Sequence, residues 1–161
     1  MKTTAAPGWG SAYLTATPAG GVDLDPAEQL AVQQTLARYA FALDQQDLAA
    51  LEGVLTEDAI WTFTIAGEVD HGPFVGRAAI LDFVRGAMDA QTDQRRHNLI
   101  NMVFHSADVG TAEVRAYLML TSNAGGSPSV IATGFYTFSL ERATSEWRIA
   151  KLFLGMDNAE Q

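Results

Sequence analysis

The sequence predicts an α+β domain, with three helices packed on one side of a curved, mainly antiparallel sheet. Three observations carry this. Helical periodicity is confined to the first part of the chain, up to about Met88. From Arg95 onward four long apolar strand patterns follow with no helical segment between them. The breaks between those strands are short, and short connections require antiparallel pairing, because a parallel crossover takes about a dozen residues or more. A chain of 161 residues fits one such domain.

The elements follow in order. Residues 1–24 are rich in Thr, Ala, Gly and Pro, carry the breakers Pro7-Gly8 and Pro18 to Gly21, and show no period. They read as a flexible N-terminal arm, or as a strap over a pocket or partner subunit anchored by Trp9, Tyr13 and Leu14. The single domain is expected over 25–161. Asp25-Pro26 supplies an N-cap acid and a proline at the first helical position. On a wheel of about 100° per residue, Leu30, Val32, Leu36, Ala37, Ala40, Phe41 and Leu43 form one apolar arc. Glu28, Gln34, Thr35, Arg38 and Gln45 lie opposite, and Asp44 falls inside the arc. Asp47 caps a second helix over 48–55, with Leu48, Leu51 and Leu55 on one face. Ala59 to Ile65 alternates as a strand, and Gly67 to Gly76 reads as a loop around His71-Gly72-Pro73. A third helix is predicted over 77–89, facing inward with Ile80, Phe83, Val84, Ala87 and Met88. The final strands are predicted at about 95–106, 112–122, 129–141 and 146–155, apolar on both faces. One face meets the helices, and the other is free to meet a second subunit.

Composition excludes several classes. Ten Lys+Arg against nineteen Asp+Glu give a net charge of −9, which opposes binding to nucleic acid or to an anionic membrane. Cysteine is absent, so neither a disulfide nor a thiolate is available. No secretory h-region and no apolar run long enough to span a bilayer is visible, and a cytoplasmic location is expected.

The candidate chemical groups are few. Asp44 is a carboxylate on a buried arc, a costly position unless it is paired or hydrogen-bonded. His97 opens the first long strand and shares a face with Leu99, Asn101 and Val103. An imidazole is the natural proton carrier near neutral pH and a natural partner for such a carboxylate. His71, in its Gly-Pro turn, reads as solvated. His105 lies eight residues beyond His97, roughly 26 Å along an extended strand, too far to share a metal with it. No metal-ligand spacing, dinucleotide or phosphate loop, or nucleophile elbow appears, so neither metal nor cofactor is expected. Tyr39, Trp61, Tyr117 and Tyr136 combine an apolar body with a polar handle, which suits them to line a substrate pocket.

Taken together, these stretches resemble a known family. Tyr39-Ala-Phe-Ala-Leu-Asp44-Gln-Gln-Asp47-Leu-Ala-Ala-Leu is similar to the first-helix signature of the SnoaL-like branch of the nuclear transport factor 2-like superfamily. Leu55 to Trp61, Gly76 to Ile80, Arg96-His97-Asn-Leu-Ile-Asn101, Gly134 to Phe138 and Trp147 to Lys151 continue the resemblance, which spans about 26–155. It implies a conical sheet wrapped around helices with a deep apolar pocket. It also implies kinship with scytalone dehydratase, hexachlorocyclohexane dehydrochlorinase, bile-acid dehydratase, ketosteroid isomerase, limonene epoxide hydrolase and polyketide cyclases. In the dehydratase and dehydrochlorinase branches an aspartate near the end of the first helix pairs with a histidine after the third, and Asp44 and His97 match. The bile-acid dehydratase tyrosine five residues earlier is matched by Tyr39. The dehydrochlorinase arginine is not matched: Leu152, beside Lys151, stands nearest its place.

The resemblance implies a cofactor-independent acid–base enzyme, a dehydratase, isomerase or cyclase acting on a small hydrophobic compound, neutral or cationic, such as a polyketide- or terpenoid-like intermediate. Asp44 orients His97, His97 moves a proton, and Tyr39 with Tyr136 or Asn101 binds the developing oxyanion. Trp61, Asn101, Tyr117 and Tyr136 are the expected substrate contacts, and a homodimer through the outer sheet face is expected. The alternatives are a non-catalytic binding or assembly module and the small subunit of a ring-hydroxylating dioxygenase.

Overall fold

A computed structural model describes residues 5–14 and 20–160. A short 3-10 helix at Trp9–Ala12 is followed by α1 (Pro26–Asp44), α2 (Leu48–Val54), β1 (Leu55–Ile65), β2 (Val69–Val75), α3 (Arg77–Ala90), β3 (Gln94–Asp108), β4 (Thr111–Ala124), β5 (Ser127–Ala143) and β6 (Glu146–Met156). The strands form one curved sheet in the order β2-β1-β6-β5-β4-β3. All neighbours are antiparallel except β1 and β6, which run parallel. The α+β expectation holds, with the helices on the inner face of the sheet.

The caps behave as the sequence requires. The Asp25 side chain accepts from the Ala27 N–H, with Pro26 opening α1, and the Asp47 side chain accepts from the Ala50 N–H at the start of α2. The buried stripe of α1 is rotated from the predicted arc. Val32, Thr35, Leu36, Tyr39, Ala40, Ala42 and Asp44 are buried, whereas Leu30 and Phe41 are 57% and 69% exposed. The rotation has a polar cause. The Thr35 hydroxyl reaches the carbonyl of Trp147 at 3.1 Å, and the Tyr39 hydroxyl lies 3.3 Å from that of Tyr136. Side chains that satisfy their polar atoms against the sheet are turned inward ahead of merely apolar ones. Across the same joint the Trp147 indole N–H donates to Glu28 at 2.6 Å.

Two further expectations are corrected. The segment read as a loop over 67–76 is largely β2, closing a hairpin on β1. His71 is therefore not a solvated turn residue: its ring stacks on Phe63 with centroids 4.3 Å apart. The alternation assumed along β3 is broken by a bulge, since Ile100 pairs with Tyr117 and Val103 with Arg115, leaving Asn101 and Met102 opposite Ala116. Asn101 takes a left-handed conformation there, φ 53, which asparagine tolerates better than most residues.

The core lies between the helices and the inward residues of β4, β5 and β6. Val114, Phe138, Ile149, Val32, Leu36 and Leu51 are wholly buried. On the outer face the described part of the N-terminal segment lies against the sheet. The Trp9 ring packs on Phe135 at 5.3 Å, and Tyr13 stacks on Phe153 at 5.1 Å. The Trp9 indole N–H donates to Asp157 at 2.6 Å. Leu14 lines a groove on this face beside Phe135 and Tyr117.

Close strand approach requires glycine at position 134, where a Cβ would overlap the Gly155 carbonyl oxygen on β6. That atom is backbone in a paired strand and has nowhere to move. Gly134→Ala is expected to destabilise the fold by roughly 1–3 kcal/mol, the usual cost of overpacking. The measurement is the urea midpoint, and an unchanged midpoint would contradict the assignment.

Candidate active site

The site is assembled where the end of α1 meets the start of β3. The chain leaves α1 through Gln45 and a left-handed Gln46, φ 55, which leaves the Asp44 carboxylate directed at β3. Asp44 is 8% exposed. Its oxygens accept the His97 backbone N–H at 3.0 and 3.2 Å, and Oδ1 lies 2.7 Å from His97 Nδ1. The Gln94 amide donates to the Asp44 carbonyl at 2.9 Å. An ionised carboxylate only accepts, so the proton of a neutral His97 sits on Nδ1 and Nε2 is left with its lone pair. The Asp44–His97 contact expected from the sequence is thus present as geometry.

His97 also forms part of the wall of a cavity of about 150 Å³. That volume accommodates one benzene-sized ring. Leu43, Val84 and Met88 close it from the helices, Trp61 and Phe63 from β1, and Leu118, Leu120, Leu154 and Met156 from the sheet. An aromatic cluster stiffens one wall: Phe83 stacks on Phe74 at 4.2 Å and meets Trp61 edge-on at 5.3 Å. The polar groups of the lining are Gln91, Arg95, His97, Tyr136 and Glu160. Among the described residues no group of acidic or histidine side chains is arranged to hold a metal ion.

The structure separates the remaining predicted site residues. Trp61 and Tyr136 line the cavity. The Trp61 indole N–H is buried with no hydrogen-bond partner among the described residues. Tyr39 is not in the lining; it stands behind Tyr136, hydroxyl to hydroxyl at 3.3 Å. Asn101 and Tyr117 are not in the cavity either. Both lie along the outer-face groove shared with Leu14 and Phe135, and Tyr117 is 55% exposed. For Tyr117 the reason is strand alternation, since its neighbours Ala116 and Leu118 point inward; for Asn101 it is the bulge. His105 sits at a second irregularity of β3, 3.9 Å from Glu113, and is not in the cavity lining.

Arg95, Phe63, Phe83, Gln91 and Glu160 also line the cavity, although none is among the predicted site residues. Arg95 is legible in principle, because it precedes His97 by two positions on one strand and so shares its face. Glu160 follows the last strand, and no local pattern indicates where it folds back.

Tyrosine ionisation is disfavoured at the site. Burial, then repulsion from Asp44 and Glu160, pushes the Tyr136 phenol up to about 12, against a hydrogen bond from Tyr39 that acts the other way. Burial raises the Tyr39 phenol well above its ordinary value, and Tyr136 adds to the shift. Both therefore remain neutral hydrogen-bond donors at physiological pH, with one proton shared between them and the other free to be donated.

The fold is nuclear transport factor 2-like. The chain belongs to the SnoaL-like domain family, whose model matches residues 27–152. No curated protein matches the chain. Among solved structures it is similar to Aln2 from a Streptomyces species, at 25% identity and TM-score 0.71, over 83% of this chain and 94% of that one. It is also similar to a protein from Novosphingobium aromaticivorans described as a candidate aromatic ring hydroxylase, at 27% identity and TM-score 0.66, over 86% and 94% of the two chains. The β subunit of a candidate aromatic-ring-hydroxylating dioxygenase from the same organism shares the fold at 17% identity and TM-score 0.70, over 83% and 92%.

The tyrosine pair can be checked by alkaline titration of phenolate absorbance. The difference between the wild type and Tyr136→Phe is expected to emerge only on approach to about pH 12. A difference appearing near the ordinary tyrosine range would show that Tyr136 is not buried as described.

Proposed function

We propose that the protein is a cofactor-independent acid–base enzyme, a dehydratase, isomerase or cyclase, acting on a small hydrophobic substrate. The observation that carries this reading is the 2.7 Å contact between Asp44 and Nδ1 of a histidine that lines a ring-sized cavity. With Nδ1 held by the carboxylate, Nε2 is the nitrogen that takes a proton from a carbon beside a carbonyl, or from a hydroxyl. The imidazolium so formed is flanked by Asp44 and by the negative end of the α1 dipole, both of which favour a cation. The same Nε2–H can then return the proton to a departing or shifted oxygen. Tyr136, neutral and buried, donates to the oxygen on which charge develops, and Tyr39 holds its hydroxyl in place. Positioned proton transfer of this kind contributes roughly 10²–10⁴-fold.

Solvent-deuterium incorporation into the α-carbons of a panel of monocyclic ketones, followed by NMR, tests the reading before a substrate is known. The wild type is expected to accelerate exchange for at least one member. His97→Ala is expected to lose roughly 10²-fold or more. Asp44→Asn keeps the size of the side chain but supplies no charge, and is expected to fall nearly as far. Exchange unaffected in both variants would sink the assignment.

A second reading is assembly with an iron-bearing partner, as the small subunit of a ring-hydroxylating dioxygenase, and the likeness to the β subunit of such an oxygenase favours it. We also propose a homodimer through the outer sheet face, where Ile100, Val103 and Tyr117 stand exposed. Light scattering on the purified protein separates the two. A dimer with no larger iron–sulfur protein co-purifying supports the enzyme reading, and a stable complex with such a protein supports the other.

A further inference from the structure

Arg95 is the cation of the cavity wall. It precedes His97 on β3 by two positions and shares its inward face, so the two Cα atoms are about 7 Å apart. Its Nε donates to both oxygens of Asp93 at 3.1 and 3.3 Å, and its Nη1 lies 2.7 Å from Oε2 of Glu160.

The two acids are held differently. Asp93 is fixed, since it accepts the hydroxyl of buried Ser122. That bond holds its carboxyl below the usual range against the opposing effect of burial, and Arg95 adds to the shift. Glu160 belongs to the segment after β6, which forms neither helix nor strand, and its side chain is 43% exposed. An ion pair so exposed is weak and easily exchanged. Nevertheless Glu160 belongs to the cavity lining, and its charge contributes to keeping the Tyr136 phenol protonated. An exchangeable carboxylate thus sits on a fixed guanidinium at the edge of an apolar, ring-sized space that also contains an imidazole.

We propose that Glu160 occupies the place of a ligand carboxylate: the cavity takes a monocyclic carboxylic acid, whose ring fills the apolar space beside His97 while its carboxylate displaces Glu160 from Arg95. The inference names the substrate class for the reading above and rests on it for which carbon faces Nε2. Asp93 neutralises only part of the guanidinium's hydrogen-bonding capacity, and the planar fork of arginine matches a carboxylate. Binding of the acid therefore requires the Glu160 side chain to leave Arg95, which lowers apparent affinity by the fraction of time Glu160 is in place.

Calorimetric titration with benzoate, and with benzamide as its neutral counterpart, tests this. Glu160→Gln removes the competitor without touching the core, and is expected to tighten benzoate by about 3- to 10-fold and to leave benzamide unchanged. Arg95→Met is expected to weaken benzoate about tenfold or more, the effect of one lost charge-assisted hydrogen bond. Should Arg95→Met fail to fold, the Glu160→Gln comparison decides alone. His97→Ala is expected to retain the benzoate response, so failure of the acid–base reading would appear as unchanged deuterium exchange while this binding persists. Benzoate that does not bind Glu160→Gln, or that binds wild type and Glu160→Gln equally, overturns the proposal. So does benzamide responding to Glu160→Gln as benzoate does.

Discussion

The joint between Asp44 and the start of β3 is the constraint on which the rest of the site depends. A carboxylate at the C-terminal end of a helix faces the negative end of the helix dipole, and Asp44 is also withdrawn from water. Either condition alone disfavours the charge. The structure answers with the His97 backbone N–H and ring nitrogen on the carboxylate and the Gln94 amide on the Asp44 carbonyl. These contacts tie the end of α1 to β3, which are far apart in sequence. They also fix the imidazole in one orientation and one tautomer, so the interaction that closes the helix onto the sheet is the one that aims Nε2. The proposed chemical role and the structural one are not alternatives: the same contacts would serve both.

The cavity is divided by the same logic. Its walls are aliphatic and aromatic, and its polar groups are confined to the inner faces of β3 and β5, the end of α3 and the segment after β6. Asp44 and Tyr39 stand one layer back and act on the cavity through His97 and Tyr136. A largely apolar lining strengthens each polar contact made within it, and a supporting layer keeps the groups in place without occupying space a ligand needs.

Much of this is legible in the sequence because it rests on local rules. The caps at Asp25 and Asp47, the apolar face of α3 and the four antiparallel strands all follow from residue type and spacing. Asp44 and His97 are identifiable because a charge on an apolar arc is conspicuous. The departures have physical sources outside local pattern. The stripe of α1 turns away from its apolar arc because Thr35 and Tyr39 are drawn inward by partners on β6 and β5. A strand at β2 is hidden in the sequence because its glycine and proline mimic a loop, while its partner, β1, supplies the pairing. Arg95 does not stand out because its significance depends on Glu160, which reaches it only in the folded chain.

The bulge at Asn101 and Met102 shows how one residue controls which side chains share a chamber. Side chains alternate with a period of two along a strand, so one added residue exchanges the faces of everything beyond it. Arg95, His97 and Leu99, before the bulge, point toward the helices opposite Ser122, Leu120 and Leu118. Without it, Asn101 and Val103 would continue that row, as simple alternation predicts. With it, Asn101 and Val103 line the outer groove, and Phe104 pairs with buried Val114. The described cavity lining therefore takes Arg95 and His97 from β3 and no amide from that strand. Among the described lining residues His97 is the one imidazole, and Asp44 holds it from behind.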